Sequence, residues 1–371
     1  MRHLYLHVPF CHRRCSYCDF AIAVRKRIPA REYVEAVTRE LELVGAPQAA
    51  LDTLYLGGGT PSLLPPEAID ALLRSIRNPQ SAIRNEVEVT LEANPEDVTR
   101  ETAEAWRRAG VNRVSLGAQS FDDKVLKWMH RSHDAAQIGA AVRALRDAGI
   151  ENISLDLIFA LPQELQRDWE RDLDLACALE PAHLSLYGLT VEDRTPLARW
   201  VSRGAASAPD DDRYAEEYLL AHMRLAASGY HFYEVSNACR AGHRSRHNSA
   251  YWSGRPYLGV GPAAHSFDGR ARRWNLPGWE AYRRAVAAGR SPVAAHEVLT
   301  DEQRDLERRY LALRTVEGLP LSALDRPRPP VTAWVAAGWA VIAHDHLRLT
   351  PEGWLRLDSL VGALTGAAAV S

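Results

Sequence analysis

Cysteine is scarce in this 371-residue chain, net charge is almost absent, and no apolar run is long. Each shortage excludes something. The five cysteines, Cys11, Cys15, Cys18, Cys177 and Cys239, are an odd number, and three fall within eight residues. An extracellular disulfide framework is therefore not the reading; clustered thiols point to metal. A formal net charge of −2 and a pI near 6.7 exclude a chain that is basic throughout, and no nucleic-acid partner is expected. No stretch approaches the roughly 18 apolar residues of a membrane span. Residues 1–10 lack a signal-peptide layout and run straight into the cysteines. The expectation is a cytoplasmic protein, membrane-associated only through a partner.

What is present is an alternation. Short apolar or β-branched runs lie at 4–8, 54–56, 87–91, 113–116, 153–158 and 183–186. Between them lie amphipathic segments near 30–45, 66–77, 100–109, 122–147, 164–179 and 210–228. Six strand–helix repeats predict an α/β fold with a parallel sheet, a partial (βα)6 TIM-like barrel. A doubly wound open sheet is the rival. In both, ligands gather at the carboxyl ends of the strands, and the unusual residues of this chain follow its strands. The expected layout is a barrel over 1–230 and a connecting segment over 231–295, rich in His, Arg and aromatics and packed on the barrel. A small C-terminal α+β domain, winged-helix-like, would fill 296–371. There a helix at 301–315 leads through the proline-rich stretch 326–330 to another helix. A hairpin is expected over 346–353.

The spacing Cys11-x3-Cys15-x2-Cys18 follows the first strand. Thiolates are the usual ligands of iron–sulfur clusters, and three of them on a [4Fe–4S] cube leave one iron free. The alternative is structural zinc with His12 as fourth ligand, although zinc sites favour cysteine pairs on separate knuckles. Cys177, within an apolar stretch, reads as a small buried hydrophobe. Gly57-Gly58-Gly59-Thr60-Pro61 follows the second strand, where glycines let backbone approach a ligand or simply form a tight turn. Glu92 and Asp156 stand at strand ends, suited to a ribose or a cation, or to a salt bridge. Gln119 and Arg131 are further polar candidates, Arg131 for a carboxylate. The segment 239–247 is dense in cations and potential iron ligands. His247, then His265 and Cys239, are candidate iron ligands, Tyr251, Trp252 and Tyr257 candidate packing surfaces for a ligand, and the arginines candidate partners for its anionic groups. Alternatively, His247, Asn248 and Trp252 form a hydrogen-bonded support.

The cysteine loop after a first strand is similar to that of the radical S-adenosylmethionine (SAM) superfamily. The chain further resembles the oxygen-independent coproporphyrinogen oxidase family, and within it the HemW-like haem chaperone branch. The resemblance rests on His7-Val8-Pro9-Phe10-Cys11, Leu56-Gly57-Gly58-Gly59-Thr60-Pro61-Ser62 and Leu91-Glu92-Ala93-Asn94-Pro95. Gly117-Ala118-Gln119-Ser120-Phe121, Asp156-Leu157-Ile158-Phe159-Ala160-Leu161-Pro162 and His247-Asn248-Ser249-Ala250-Tyr251-Trp252 extend it over nearly the whole chain. It implies a [4Fe–4S] cluster on the three cysteines with SAM on the open iron, where one electron would give a 5′-deoxyadenosyl radical. It places Tyr5 against cluster and SAM, Tyr17 near the adenine, and Gly58, Gly59 and Thr60 at the methionine end. Glu92, Gln119, Arg131 and Asp156 would complete the SAM pocket. Phe20 stands where the oxidases carry a further cysteine, and their N-terminal extension has no counterpart before the first strand. Ala160 replaces a customary glycine.

The resemblance implies a chaperone that carries haem to respiratory enzymes, with homodimerisation in view and the question of enzymatic turnover open. In that reading His247, Tyr251, Trp252 and His265 are the haem candidates, Cys239 is a further ligand candidate, and the arginines of 239–247 are propionate partners. The alternatives are coproporphyrinogen III dehydrogenase, acting on a porphyrinogen by oxidative decarboxylation of its propionates, and a tRNA-modifying radical SAM enzyme.

Overall fold

The computed structural model describes residues 1–45, 50–76, 87–324 and 329–365. The proline-rich stretch 326–330 lies mostly outside them. Six strands form where expected: β1 (His3–Val8), β2 (Thr53–Gly58), β3 (Glu88–Ala93), β4 (Arg113–Gln119), β5 (Asn152–Phe159) and β6 (His183–Gly188). They pair in parallel and in chain order. The intervening helices are α1 (Ala30–Val44), α2 (Pro66–Ile76), α3 (Arg100–Ala109), α4 (Ala135–Asp147) and α5 (Trp169–Ala178), and α6 (Asp211–Ala227) follows β6. Three strands from further along the chain extend the sheet: β7 (His231–Glu234), β8 (Asn237–Cys239) and β9 (Leu258–Val260). The order is β9-β1-β2-β3-β4-β5-β6-β8-β7, so the barrel stays open.

Strand alternation sorts the side chains. Leu4, Leu6 and Val8, Leu54 and Leu56, Val114 and Leu116, and Leu184 and Leu186 form the buried core beneath the helices. The intervening residues point the other way and are mostly polar. Register aligns Tyr5, Tyr55, Thr90, Arg113 and Asn152 in one row, and Glu92, Ser115, Ser154 and His183 in the next. A polar interior is a poor hydrophobic core and a good place to bind something.

Two expected helices are divided. The segment 122–147 breaks into Asp123–Trp128 and α4. Asp122 caps the first piece, and Asp134 restarts the chain through a capping box with Gln137. His130 takes a left-handed φ of 60° in the break, which delivers Arg131 to the sheet. Likewise 164–179 starts with a 3-10 turn (Gln163–Leu165), and α5 begins only at Trp169 under an Asp168 cap. The expected hairpin over 346–353 is also displaced. Its strands are Ala340–Ala343 and His346–Leu349, joined through His344 and Asp345 at φ 51° and 59°, while Pro351–Trp354 is helical. Proline suits the first turn of that helix and could not donate to a strand ladder.

A buried carboxylate ties the later chain to the barrel. Glu40 on α1 accepts from the Gly261 amide (2.8 Å), Asn275 Nδ2 (2.6 Å) and the Tyr282 hydroxyl (2.6 Å). Tyr282 belongs to helix Trp279–Ala287, whose Trp279 packs edge-on against Phe10 at 5.2 Å, next to Cys11. Glu40→Ala leaves the Gly261 amide and the Tyr282 hydroxyl unpaired and Asn275 Nδ2 with only the Gly261 carbonyl, 2.9 Å away. It is expected to lower unfolding free energy by about 3 kcal/mol, read from the urea midpoint.

Ala160 is buried with φ 56°, and its amide donates to Glu217 at 2.7 Å. A side chain is disfavoured there, so Ala160→Gly is expected to stabilise the fold by about 0.5–1 kcal/mol in the same assay.

Candidate functional site

The carboxyl ends of the strands surround a cavity of about 490 Å³. All three clustered cysteines line it. So do Tyr17, Gly58, Gly59, Thr60, Glu92, Gln119, Arg131 and Asp156. Residues up to 145 positions apart in the chain thus share one recess because parallel strands all finish at the same end. Tyr5 is not among the lining residues. It lies one layer deeper, stacked on Tyr55 at 6.0 Å with its hydroxyl 3.2 Å from His7 Nδ1.

The cysteine loop is closed at its base. Phe10–Cys11 pairs in parallel with Ala23–Val24, and the amides of Ala23 and Arg25 donate to Pro9 and Cys11 carbonyls. Cys11 Sγ lies 3.3 Å from Thr60 Oγ1, and Arg131 Nη1 reaches Cys15 Sγ at 3.7 Å. Burial pushes the Cys11 thiol up, and the Cys18 thiol up to about 11. Cationic guanidinium beside sulfur suits an anionic sulfur group.

The glycines are fixed by packing as well as by access. A Cβ on Gly58, at φ 113°, would lie 2.6 Å from the His7 ring, and one on Gly59 would lie 2.8 Å from the Phe10 carbonyl. The strand-to-loop turn therefore presses directly on the segment leading into Cys11.

Two carboxylates form the cavity floor. Glu92 accepts from the Tyr55 hydroxyl (2.9 Å) and the Gly58 amide (3.0 Å). Asp156 accepts from Ser115 at 3.0 Å and Ser154 at 3.3 Å. Burial raises Glu92 to about 7 and Asp156 to about 6, against the hydrogen bonds that pull them down. Arg131 Nη2 donates to Asn94 Oδ1 at 2.6 Å and the Gly117 carbonyl at 2.8 Å. Its Nε is shielded and has no partner among the described residues. Gln119 sits at a β-bulge with φ 65°, a strained setting for a non-glycine residue. Tyr55, Ser115 and Ser154 were missed as site residues by sequence reasoning. The signal was their place at inward-pointing alternate positions of otherwise apolar strands.

The haem candidates lie elsewhere. Helix α7 (Arg246–Trp252) docks where the strands begin: the amides of Arg246 and His247 each donate to Glu88 at 3.0 Å. His247 is buried, with Nδ1 2.7 Å from Thr53 Oγ1 and Nε2 2.9 Å from the Tyr251 hydroxyl. Burial lowers it to about 3, so the ring is neutral. Cys239 is buried on β8. Tyr251 and Trp252 line a second recess, and His265 stacks on Trp274 at 5.7 Å outside it. These five residues thus do not converge on one point.

A parallel partial barrel with three loop cysteines at its carboxyl end defines the class, and the comparisons agree. Residues 5–176 match the radical SAM superfamily. Haem chaperone HemW of Mycobacterium tuberculosis is 40% identical over 98% of this chain and 94% of its own length. HemW of Bacillus subtilis is 35% identical (86% and 85% covered), and that of Escherichia coli 32% (96% and 96%). The chain belongs to the HemW family of radical SAM proteins. Coproporphyrinogen III oxidase (HemN) from Escherichia coli has the same fold, with a TM-score of 0.82 at 21% identity, covering 98% of this chain and 89% of that one. No described helix is long and apolar enough to cross a membrane.

Proposed function

We propose that this protein is a haem chaperone that holds a [4Fe–4S] cluster on Cys11, Cys15 and Cys18 and SAM beside it, and delivers haem to respiratory enzymes. The observation that carries the cofactor part is convergence: three thiols, a glycine turn and two carboxylates on one cavity. The donor set fits. Three half-buried sulfurs on one closed loop would hold three irons and leave the fourth without a protein ligand from that loop. Glu92 and Asp156 suit the cationic and hydroxyl groups of SAM, and Arg131, already on Cys15, suits its carboxylate. When bound, the cluster supplies one-electron chemistry to SAM; the residues orient SAM and limit water.

The haem part rests on the relatives, whose names state it. Phe20 separates this chain from the oxidase reading. It is 60% exposed and lines the cavity beside Cys18, where an oxidase-type cysteine would stand.

One anaerobic experiment tests the proposal. Reconstituted protein receives SAM, a reductant and coproporphyrinogen III, and parallel samples are titrated with haem and mixed with a haem-depleted respiratory enzyme. Haem uptake and transfer without protoporphyrinogen formation are expected. Porphyrinogen turnover without haem binding would overturn the reading.

A further inference from the structure

The second recess is a groove of about 1040 Å³ between α7 and helix α8 (Asp301–Arg314). It belongs to the opposite end of the barrel from the cysteines. Its helix α7 is anchored on Thr53 and Glu88, the first residues of β2 and β3, whereas the cysteine cavity gathers at the strand carboxyl ends.

The lining has an unusual makeup. Five arginines face three carboxylates. Glu317 pairs with Arg244 and Glu307 with Arg272, each at 2.7 Å, and Asp301 pairs with Arg304. The two positive charges in excess are therefore Arg255 and Arg308, the latter reaching Asp305, outside the lining, at 3.3 Å. Aromatic rings form a contiguous wall: Tyr251 meets Tyr257 edge-on at 4.6 Å, Tyr257 neighbours Phe267 at 6.5 Å, and Arg272 lies over the Phe267 ring at 5.8 Å. Two donors in the lining are shielded from solvent and have no acceptor among the described residues, Trp252 Nε1 and Arg304 Nε. Buried donors without acceptors are costly unless a ligand completes them. An aromatic wall, unfilled donors and two surplus positive charges match a flat apolar molecule carrying two carboxylates.

We infer that this groove is the seat of the haem, with the macrocycle against Tyr251, Tyr257 and Phe267 and the propionates toward Arg255 and Arg308. The inference rests on the haem reading proposed above. It follows that haem and SAM occupy opposite ends of the barrel and bind together. The groove lining contains phenols and no imidazole or thiol, so an iron ligand from within it is a tyrosine oxygen.

The test uses cluster-loaded full-length protein, titrated with haem and with haem dimethyl ester, each with and without saturating SAM. Esterification is expected to weaken binding at least about tenfold, since it removes both anions. The double variant Arg255→Gln/Arg308→Gln should lose a similar factor for haem and nothing for the ester, with SAM affinity unchanged. SAM should not displace haem. Wild-type protein that binds haem and ester equally, or releases haem on SAM addition, overturns the groove assignment and leaves the chaperone reading standing. The ester comparison needs no variant, so misfolding cannot obscure it. Wild-type protein that binds no haem removes the chaperone reading itself.

Discussion

Cys15→Ser protein, reconstituted with iron and sulfide under anaerobic conditions, is expected to emerge nearly colourless, with iron falling from about four per chain to background. A serine oxygen is a harder and far more basic ligand than a thiolate and does not replace it on iron–sulfur clusters. The same loss is expected for Cys11→Ser and Cys18→Ser, because in the proposed cluster each thiol serves one iron and none is spare. Cys177→Ser is the control. Cys177 lies on α5, outside the cavity, and its loading should match the parent protein. The loop geometry sharpens the expectation. Pairing of Phe10–Cys11 with Ala23–Val24 holds the base of the loop whether or not a cluster is present. The serine proteins should therefore stay folded and fail only in loading, which far-ultraviolet circular dichroism alongside iron analysis will show. Full iron content in all three variants would locate the metal elsewhere.

The sequence exposed some levels of this architecture and hid others for physical reasons. The six strands were legible because outward-facing Leu, Ile and Val recur at alternate positions, and the helices because caps and glycines punctuate them. The cavity was legible because parallel strands send all their carboxyl ends to one side. Residues that follow strands, such as Gly58, Glu92 and Asp156, are therefore neighbours whatever their separation. Arg131 was found, yet the break that delivers it was not: Asp134 both interrupts and recaps an otherwise continuous amphipathic pattern. Least legible was the end of the barrel where the strands begin. His247, Tyr251 and Trp252 are close in sequence, which invites reading them as one constellation. On a short helix they separate, His247 into the barrel and Tyr251 and Trp252 onto the groove. The arginines that share that groove come from three separate segments, and no local pattern joins them.

A second large effect is expected from pH, through the cavity floor. Glu92 titrates near 7 and Asp156 near 6 in the folded protein, both above their ordinary carboxylate ranges of about 4.3 and 3.9 because burial disfavours the charge. The folded state therefore binds protons more tightly than the unfolded chain. Its stabilisation from these groups is complete below about pH 4 and is lost as pH rises through about 6 and 7. Between pH 5 and 7.5 the cofactor-free protein should lose on the order of 2 kcal/mol of unfolding free energy, a figure reduced from the full shifts because the cavity admits water. Glu92→Gln should flatten much of that slope. SAM, the proposed occupant of the cavity, should reverse the preference, since its sulfonium and ammonium charges favour ionised carboxylates. Its affinity should rise over the same interval, and adding it should shrink the pH dependence of stability. In Glu92→Gln protein SAM affinity at pH 7.5 should fall by about 10- to 100-fold, the worth of one charge-assisted hydrogen bond, with little further change at pH 5.5. Calorimetric titration of both proteins at both pH values decides this. A SAM affinity that is equal at the two pH values in the parent protein would mean that neither Glu92 nor Asp156 recognises its charge.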